Sequence, residues 1–210
     1  MSKLLIYGLT ASTYVRTVRL LLEEIGAEYT LKSVNIFNGE SQSPEYLAKH
    51  PFGKVPTLEV DEELLYETAA ITEYLDTVLA ERKFSPAEPM LQARMRQIMA
   101  IIDSYLYAPA IGTIVIQSLI VPSQGGKTDE AKVKNAIAPT QTALKAIESI
   151  AINSQYLLGD NVSIADFYLI PIFVYLAQTP VFDVLTAETP KLRTWWDKAS
   201  QLPNVKKVCK

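Results

Sequence analysis

The chain has 210 residues, 49% of them apolar and 20% charged, with a net charge of −3. That length allows one large domain or two small ones, and the apolar share supports a packed core, which excludes a disordered chain. Twenty Lys and Arg stand against 23 Asp and Glu with no basic block, which excludes the clustered cations that a nucleic-acid partner needs.

The single cysteine, Cys209, leaves no internal disulfide and fits a reducing cytoplasm. The single histidine, His50, excludes multi-histidine metal sites, so no metal is expected. His50 directly precedes Pro51 and reads as an extended loop residue. The N-terminal apolar run is too short for a signal peptide. No run reads as a membrane span of ~20 residues, since the stretch from Ile164 to Leu176 is broken by Asp166 and Pro171.

In chain order, Lys3 to Tyr7 is a near-continuous apolar run, expected of a strand buried on both faces. Thr10-Ala11-Ser12-Thr13 follows, and Ser12 is an N-cap candidate. Val15, Val18, Leu22 and Ile25 recur at helical spacing, and Gly26 suits the helix end. Tyr29 to Val34 alternates like a strand. The crossover helix makes these two strands parallel. Ser43-Pro44-Glu45 reads as cap, first-turn proline and first-turn acid of a short helix. Thr57–Val60 and Leu64–Tyr66 flank Asp61-Glu62-Glu63 as a hairpin. Thr68 to Leu79 is a third helix with Ile71, Leu75 and Leu79 on one face. The order β-α-β-α-β-β-α is that of a thioredoxin-like α/β domain, expected over residues 1–80.

Ser85-Pro86-Ala87-Glu88-Pro89 lies in a linker, residues 81–89, and no strand pattern follows. Residues 90–210 therefore read as an all-α helical bundle. One long helix is expected from Leu91 to about Leu119, kinked near Pro109 and Gly112. Another runs from about Asp129 to Ile152, perturbed at Pro139. Ser163 caps the next helix, with Asp166 at its third position reaching back. Two last helices flank Pro190 and stop at Pro203. Gly126-Lys127-Thr128 ends like a phosphate loop, but Val121 stands where that loop needs its first glycine.

The most informative stretch is Phe52-Gly53-Lys54-Val55-Pro56-Thr57-Leu58 with Leu65-Tyr66-Glu67-Thr68-Ala69-Ala70-Ile71. Val55-Pro56 can be cis, because a tertiary amide lowers the trans preference to about 0.5–1 kcal/mol. A cis bond there turns the Val55 backbone groups outward, free to pair with an extended peptide. Glu67 and Thr68 open a helix, where free N–H groups and the dipole attract a carboxylate. The pattern suits a small, charged, peptide-like ligand.

The run from His50 to Leu75 resembles the glutathione-binding half of the cytosolic glutathione S-transferases, serine-type and theta/phi-like. Leu158-Gly159-Asp160-Asn161-Val162-Ser163-Ile164-Ala165-Asp166 and Trp195-Trp196-Asp197-Lys198 with Leu202-Pro203 resemble motifs of their helical domain. The resemblance covers essentially the whole chain. It implies that the Val55 backbone, before Pro56, pairs with the cysteinyl part of glutathione. Glu67 and Thr68 would hold the γ-glutamyl end, and Lys54 would lie beside the glycyl carboxylate. Ser41 stands where a basic contact to that carboxylate is common, with Gln42 as a substitute.

The resemblance also implies a catalytic hydroxyl that keeps the glutathione sulfur as thiolate. Ser12 ranks first, Tyr7 second and Thr10 third. No cysteine occupies the loop, which disfavours the thiol-transferring branches. An electrophile would bind where the two domains face each other, lined by Tyr14, Phe37, Tyr105, Tyr107 and Ile111. The implied activity is conjugation of glutathione to small apolar electrophiles, or reduction of peroxides, by a cytoplasmic homodimer. A non-catalytic interaction module of the same fold and a glutathione-dependent isomerase or dehalogenase are the alternatives.

Overall fold

The computed structural model describes residues 3–210. Contacts divide the chain into two compact units. One comprises the residues up to Phe84 together with Asn204–Lys210, and the other is Ser85–Pro203.

In the first unit, a four-stranded sheet has the order β2-β1-β3-β4, with β1 at Leu4–Tyr7, β2 at Thr30–Lys32, β3 at Thr57–Val60 and β4 at Glu63–Tyr66. β1 and β2 are parallel, joined by helix α1 at Thr13–Ile25. β3 runs antiparallel to both β1 and β4. All four residues of β1 are buried, as expected for an inner strand covered on both faces. β2 pairs over only three residues, shorter than its alternating pattern, because it is the edge and carries Lys32 there.

α1 starts where Ser12 Oγ accepts the Val15 N–H and ends at Gly26, whose φ of 78° places it in the left-handed region. Gly8, just past β1, lets that helix sit close to the sheet. A methyl group on Gly8 would clash with Val15 Cγ2. Alternation along β1 then sets Leu4, Ile6 and Gly8 toward α1, and Leu5 and Tyr7 toward the other face. There Leu5 and Tyr7 join Val34 and Tyr46 in one cluster. Tyr46 belongs to the short helix α2, Pro44–Leu47, capped by Ser43.

Helix α3, Thr68–Ala80, buries Ile71 and Leu75 but exposes Leu79. Eight residues at 100° each carry Leu79 about 80° off the Ile71 direction, so the apolar stripe has drifted out of the core. Phe84, beyond the helix end, is buried. Its N–H donates to Asp76 Oδ1 at 2.9 Å after the chain reverses at Glu81 and Arg82. The closing segment also differs from the expected domain limits. Helix Pro203–Val208 carries Asn204 and Lys207, which bond Glu24 and Glu23 of α1 at 2.8 and 2.6 Å. Residues Asn204–Lys210 thus group with the sheet unit rather than with the helices before them.

The second unit begins with α4, a continuous helix over Pro89–Ser123. Glu88 caps it through the N–H groups of Met90 and Leu91. Around Pro109, where a kink is expected, the helix runs in π-register over Ile102–Leu106 and Ala110–Ile120. The wider turn relieves the clash of the Pro109 ring with the carbonyl four residues back without ending the helix. Among the described residues this is the one helix long and apolar enough to cross a membrane, although no uninterrupted apolar run of that length is expected from the sequence. Ile98, Ile102, Leu106 and Ile114 of it are fully buried in the protein.

Helix α5, Glu130–Ile150, follows, capped by Asp129. The apolar helix α6 spans Ile164–Leu176, and α7 to α9 are Phe182–Thr186, Pro190–Ala199 and Pro203–Val208. Asp166, fully buried, organises this unit. It accepts from the Leu157 N–H, the Ser163 N–H and hydroxyl, and the Trp195 indole at 2.7–2.9 Å. Burial pushes its carboxyl up from the usual range while these four donors pull it back.

Asp166→Ala would orphan buried donors, each costing about 1–3 kcal/mol. Denaturant unfolding of this variant should show a stability loss of at least about 3 kcal/mol, and a loss under about 1 kcal/mol contradicts the role.

Candidate active site

Three strand ends converge at one edge of the sheet. Tyr7 of β1 pairs with Thr57 of β3, and Thr57 pairs with Tyr66 of β4. Extending that register past the strands sets Gly8 beside Pro56 on one side and Glu67 beside it on the other. Val55 then lies between the start of α1 and the start of α3. A methyl group on Gly8 would stand 3.4 Å from Val55 Cβ.

The Val55-Pro56 bond is cis. Among the described residues, none takes up the N–H or the C=O of Val55. The loop before it is held from three sides. The Tyr46 hydroxyl donates to the Lys54 carbonyl at 2.7 Å and lies 3.0 Å from Thr57 Oγ1. Gln42 Nε2 donates to the Gly53 carbonyl at 3.2 Å. His50 Nδ1 accepts the Phe52 N–H at 3.3 Å. Gly53 sits at φ 58°, and a Cβ there would strike Gln42 and the Ser41 carbonyl.

Glu67 holds φ 69° and ψ 116°, an arrangement that a residue with a Cβ rarely adopts. Backbone strain of this kind gathers at functional positions. Its side chain is exposed and makes no hydrogen bond as a helix cap. Thr68 is nine-tenths buried at the first turn of α3.

Ser12 is half-buried, with its oxygen held 3.4 Å from the Val15 N–H. A hydroxyl that accepts this bond still has its own proton to donate. Tyr7 is otherwise engaged. Its hydroxyl donates to Glu59 Oε2 at 2.6 Å and accepts from Lys32 Nζ at 3.3 Å. The Lys32 and Lys49 ammoniums stand 5.1 and 5.0 Å from its ring centre. Burial and the Glu59 carboxylate push the Tyr7 phenol up, keeping its proton. Tyr7 therefore faces Tyr46 of α2. The Thr10 side chain is exposed in the same loop as Ser12.

Ser41 is buried, and Gln42 is exposed but tied to Gly53. Lys54 is exposed beside Val55. Of the residues expected around an electrophile, Phe37 is exposed and Tyr14 half-buried in the first unit. In the second, Tyr105 is exposed in the first π-register stretch of α4 and Tyr107 is half-buried in the α-helical turn that follows, while Ile111 belongs to the core. Tyr46 escaped the sequence reading; its signal was a lone aromatic residue in a short capped helix.

His50 lies in a loop, as expected, but its side chain is buried. It is 2% exposed, with its ring 4.9 Å from Tyr66 and 6.4 Å from Tyr46. With Nδ1 accepting from Phe52, the neutral ring carries its proton on Nε2. Burial holds its pKa below the ordinary 6.5. Below that pH the unfolded chain takes up a proton that the folded imidazole resists. Stability present above pH 6.5 is therefore lost as pH falls toward the folded value, by up to about 1.4 kcal/mol per pH unit. Denaturant midpoints between pH 7.5 and 5.5 should fall more steeply for the native protein than for His50→Asn; equal slopes contradict this.

Residues 11–78 match the family model of the glutathione S-transferase N-terminal domain, and residues 107–203 that of the C-terminal domain. Glutathione S-transferase 1 of Zea mays is 31% identical over 99% of this chain and 96% of its own length. The crystal structure of glutathione transferase F7 from Populus trichocarpa, 31% identical, superposes with a TM-score of 0.84 over 98% of this chain and 97% of that one. A structure of glutathione S-transferase-I bound with lactoylglutathione, 29% identical, gives 0.84 over 99% and 98%. Similarity to these proteins thus runs along the whole length of the chain, and the chain belongs to the glutathione S-transferase family.

Proposed function

We propose that the sheet edge at Val55 binds glutathione as an added antiparallel segment and that Ser12 holds its sulfur as the thiolate. The observation that carries this reading is the Val55 backbone, whose donor and acceptor, between two helix starts, are both unclaimed among the described residues. Val55 pairs with the cysteinyl residue. The exposed Glu67 carboxylate accepts from the γ-glutamyl ammonium, and Thr68, with the first N–H groups of α3, receives the γ-glutamyl carboxylate. Lys54 neutralises the glycyl carboxylate, with Ser41 and Gln42 beside it. The lactoylglutathione held by a similar protein is a ligand of the same class.

The chemistry follows from where the sulfur lies. A free thiol ionises near 8.5. The Ser12 O–H and the N-terminus of α1 both stabilise the anion over the thiol, so its proton passes to solvent at neutral pH. The thiolate pair then forms the S–C bond, and the leaving group departs with the electrons of the bond it breaks. The protein contributes no nucleophile of its own. Small apolar electrophiles suit an aromatic neighbour, and Tyr14 stands two residues after Ser12 at the start of α1.

A homodimer working in the cytoplasm completes the proposal. Exposed Tyr74, Val78 and Leu79 on α3, with Leu64 on β4, supply apolar surface for a two-fold contact.

Glu67→Gln combined with Thr68→Ala should weaken glutathione binding by at least about 1.5 kcal/mol in calorimetry, the worth of one charge-assisted hydrogen bond. Unchanged affinity in a folded variant overturns the ligand assignment. Binding without any conjugation to a panel of electrophiles would favour an interaction module.

A further inference from the structure

Residues Leu9 to Ser12 form a turn closed by the Ser12 N–H on the Leu9 carbonyl at 2.9 Å. In such a turn, the peptide between the two central residues is the one free to flip, and its orientation separates type I from type II. Here it is the Thr10–Ala11 peptide. Its carbonyl does not point into open solvent. Arg16, one helical turn into α1 and 5% exposed, reaches back and donates from Nε to the Thr10 oxygen at 3.0 Å. The other side of the same guanidinium donates from Nη2 to the Lys210 carbonyl at 3.3 Å. The segment carrying Lys210 is itself fastened to α1, through Lys207 to Glu23 and Asn204 to Glu24.

From this geometry we infer that Arg16 is a positioning residue for the reaction. It locks the Thr10–Ala11 peptide and so fixes where the Ser12 hydroxyl stands at the end of the turn. The segment 203–210 holds the guanidinium in that pose from the far side. Arg16 touches neither the sulfur nor the electrophile and acts through the turn. The planar fork matters as well as the charge, because one group must donate in two directions at once, which an ammonium on a flexible stem does poorly. The inference rests on the reading that Ser12 faces a bound glutathione thiol.

The test compares native protein with Arg16→Lys, which keeps the charge without the fork, and with a chain lacking Cys209 and Lys210, which keeps Arg16 without its second acceptor. Each is checked by circular dichroism. Glutathione affinity is measured by calorimetry, the pKa of the bound thiol by thiolate ultraviolet absorbance, and kcat with a chromogenic electrophile. Both variants should bind glutathione within about threefold of native, since Val55, Glu67 and Thr68 hold the peptide. Arg16→Lys should raise the bound-thiol pKa by about one unit and lower kcat at neutral pH on the order of tenfold, recovering as pH rises. The shortened chain should move both the same way by less.

A folded Arg16→Lys with native thiol pKa and kcat overturns the inference. A shortened chain indistinguishable from native overturns the part given to segment 203–210, and serves as the deciding variant if Arg16→Lys does not fold. Native protein that binds glutathione with no change in its thiol pKa refutes the Ser12 reading itself, a separate result.

Discussion

The register of three strands is the constraint on which everything at the site depends. Tyr7, Thr57 and Tyr66 stand abreast, so β1, β3 and β4 end at the same edge. The residues just past those ends, Gly8, Val55-Pro56 and Glu67-Thr68, are therefore neighbours. A slip of one residue in either pairing would turn every side chain to the opposite face. It would bury Glu67 or expose Leu58, which is fully buried in β3. The hydrophobic alternation that protects the core is thus the same feature that assembles the ligand groups. Gly8 adds the last condition, since only a residue without Cβ lets the start of α1 close on Val55.

Ser12 resolves a choice that local reasoning poses as exclusive. As a helix cap it accepts from the Val15 N–H, and as a donor it has a proton left. The first interaction fixes the oxygen and so aims the second. A cap is commonly worth about 1 kcal/mol of stability, so its presence does not argue against chemistry at the same atom. Tyr7 illustrates the reverse. Its phenol ends β1, just before the same loop, but spends its proton on Glu59 of the neighbouring strand.

Much of this was legible in the sequence wherever the signal is local. Ser12 before an apolar period, Ser43-Pro44 and Gly26 mark helix ends by chemistry that needs only neighbouring residues. Val55-Pro56 and the hairpin at Asp61-Glu62-Glu63 are punctuated in the same way. What escaped depends on partners distant in sequence. Arg16 looks like an ordinary helical cation until Thr10 and Lys210 are seen on either side of it. Tyr46 reads as core until its hydroxyl is found on Lys54. The long helix from Leu91 is legible in the sequence, but Pro109 does not announce the π-register on either side of it. Leu79 was placed inward by counting in fours, and the 3.6-residue turn carries it out.

The central claim is that Ser12 sets the ionisation of a thiol held by the backbone of Val55. Following thiolate absorbance of bound glutathione against pH, in native protein and in Ser12→Ala, tests it most directly. The native complex should ionise about two units below the free thiol value of about 8.5, and Ser12→Ala should return it most of the way with little change in affinity. A Ser12→Ala protein that melts earlier yet ionises the thiol as the native does would reduce Ser12 to a helix cap and contradict the account.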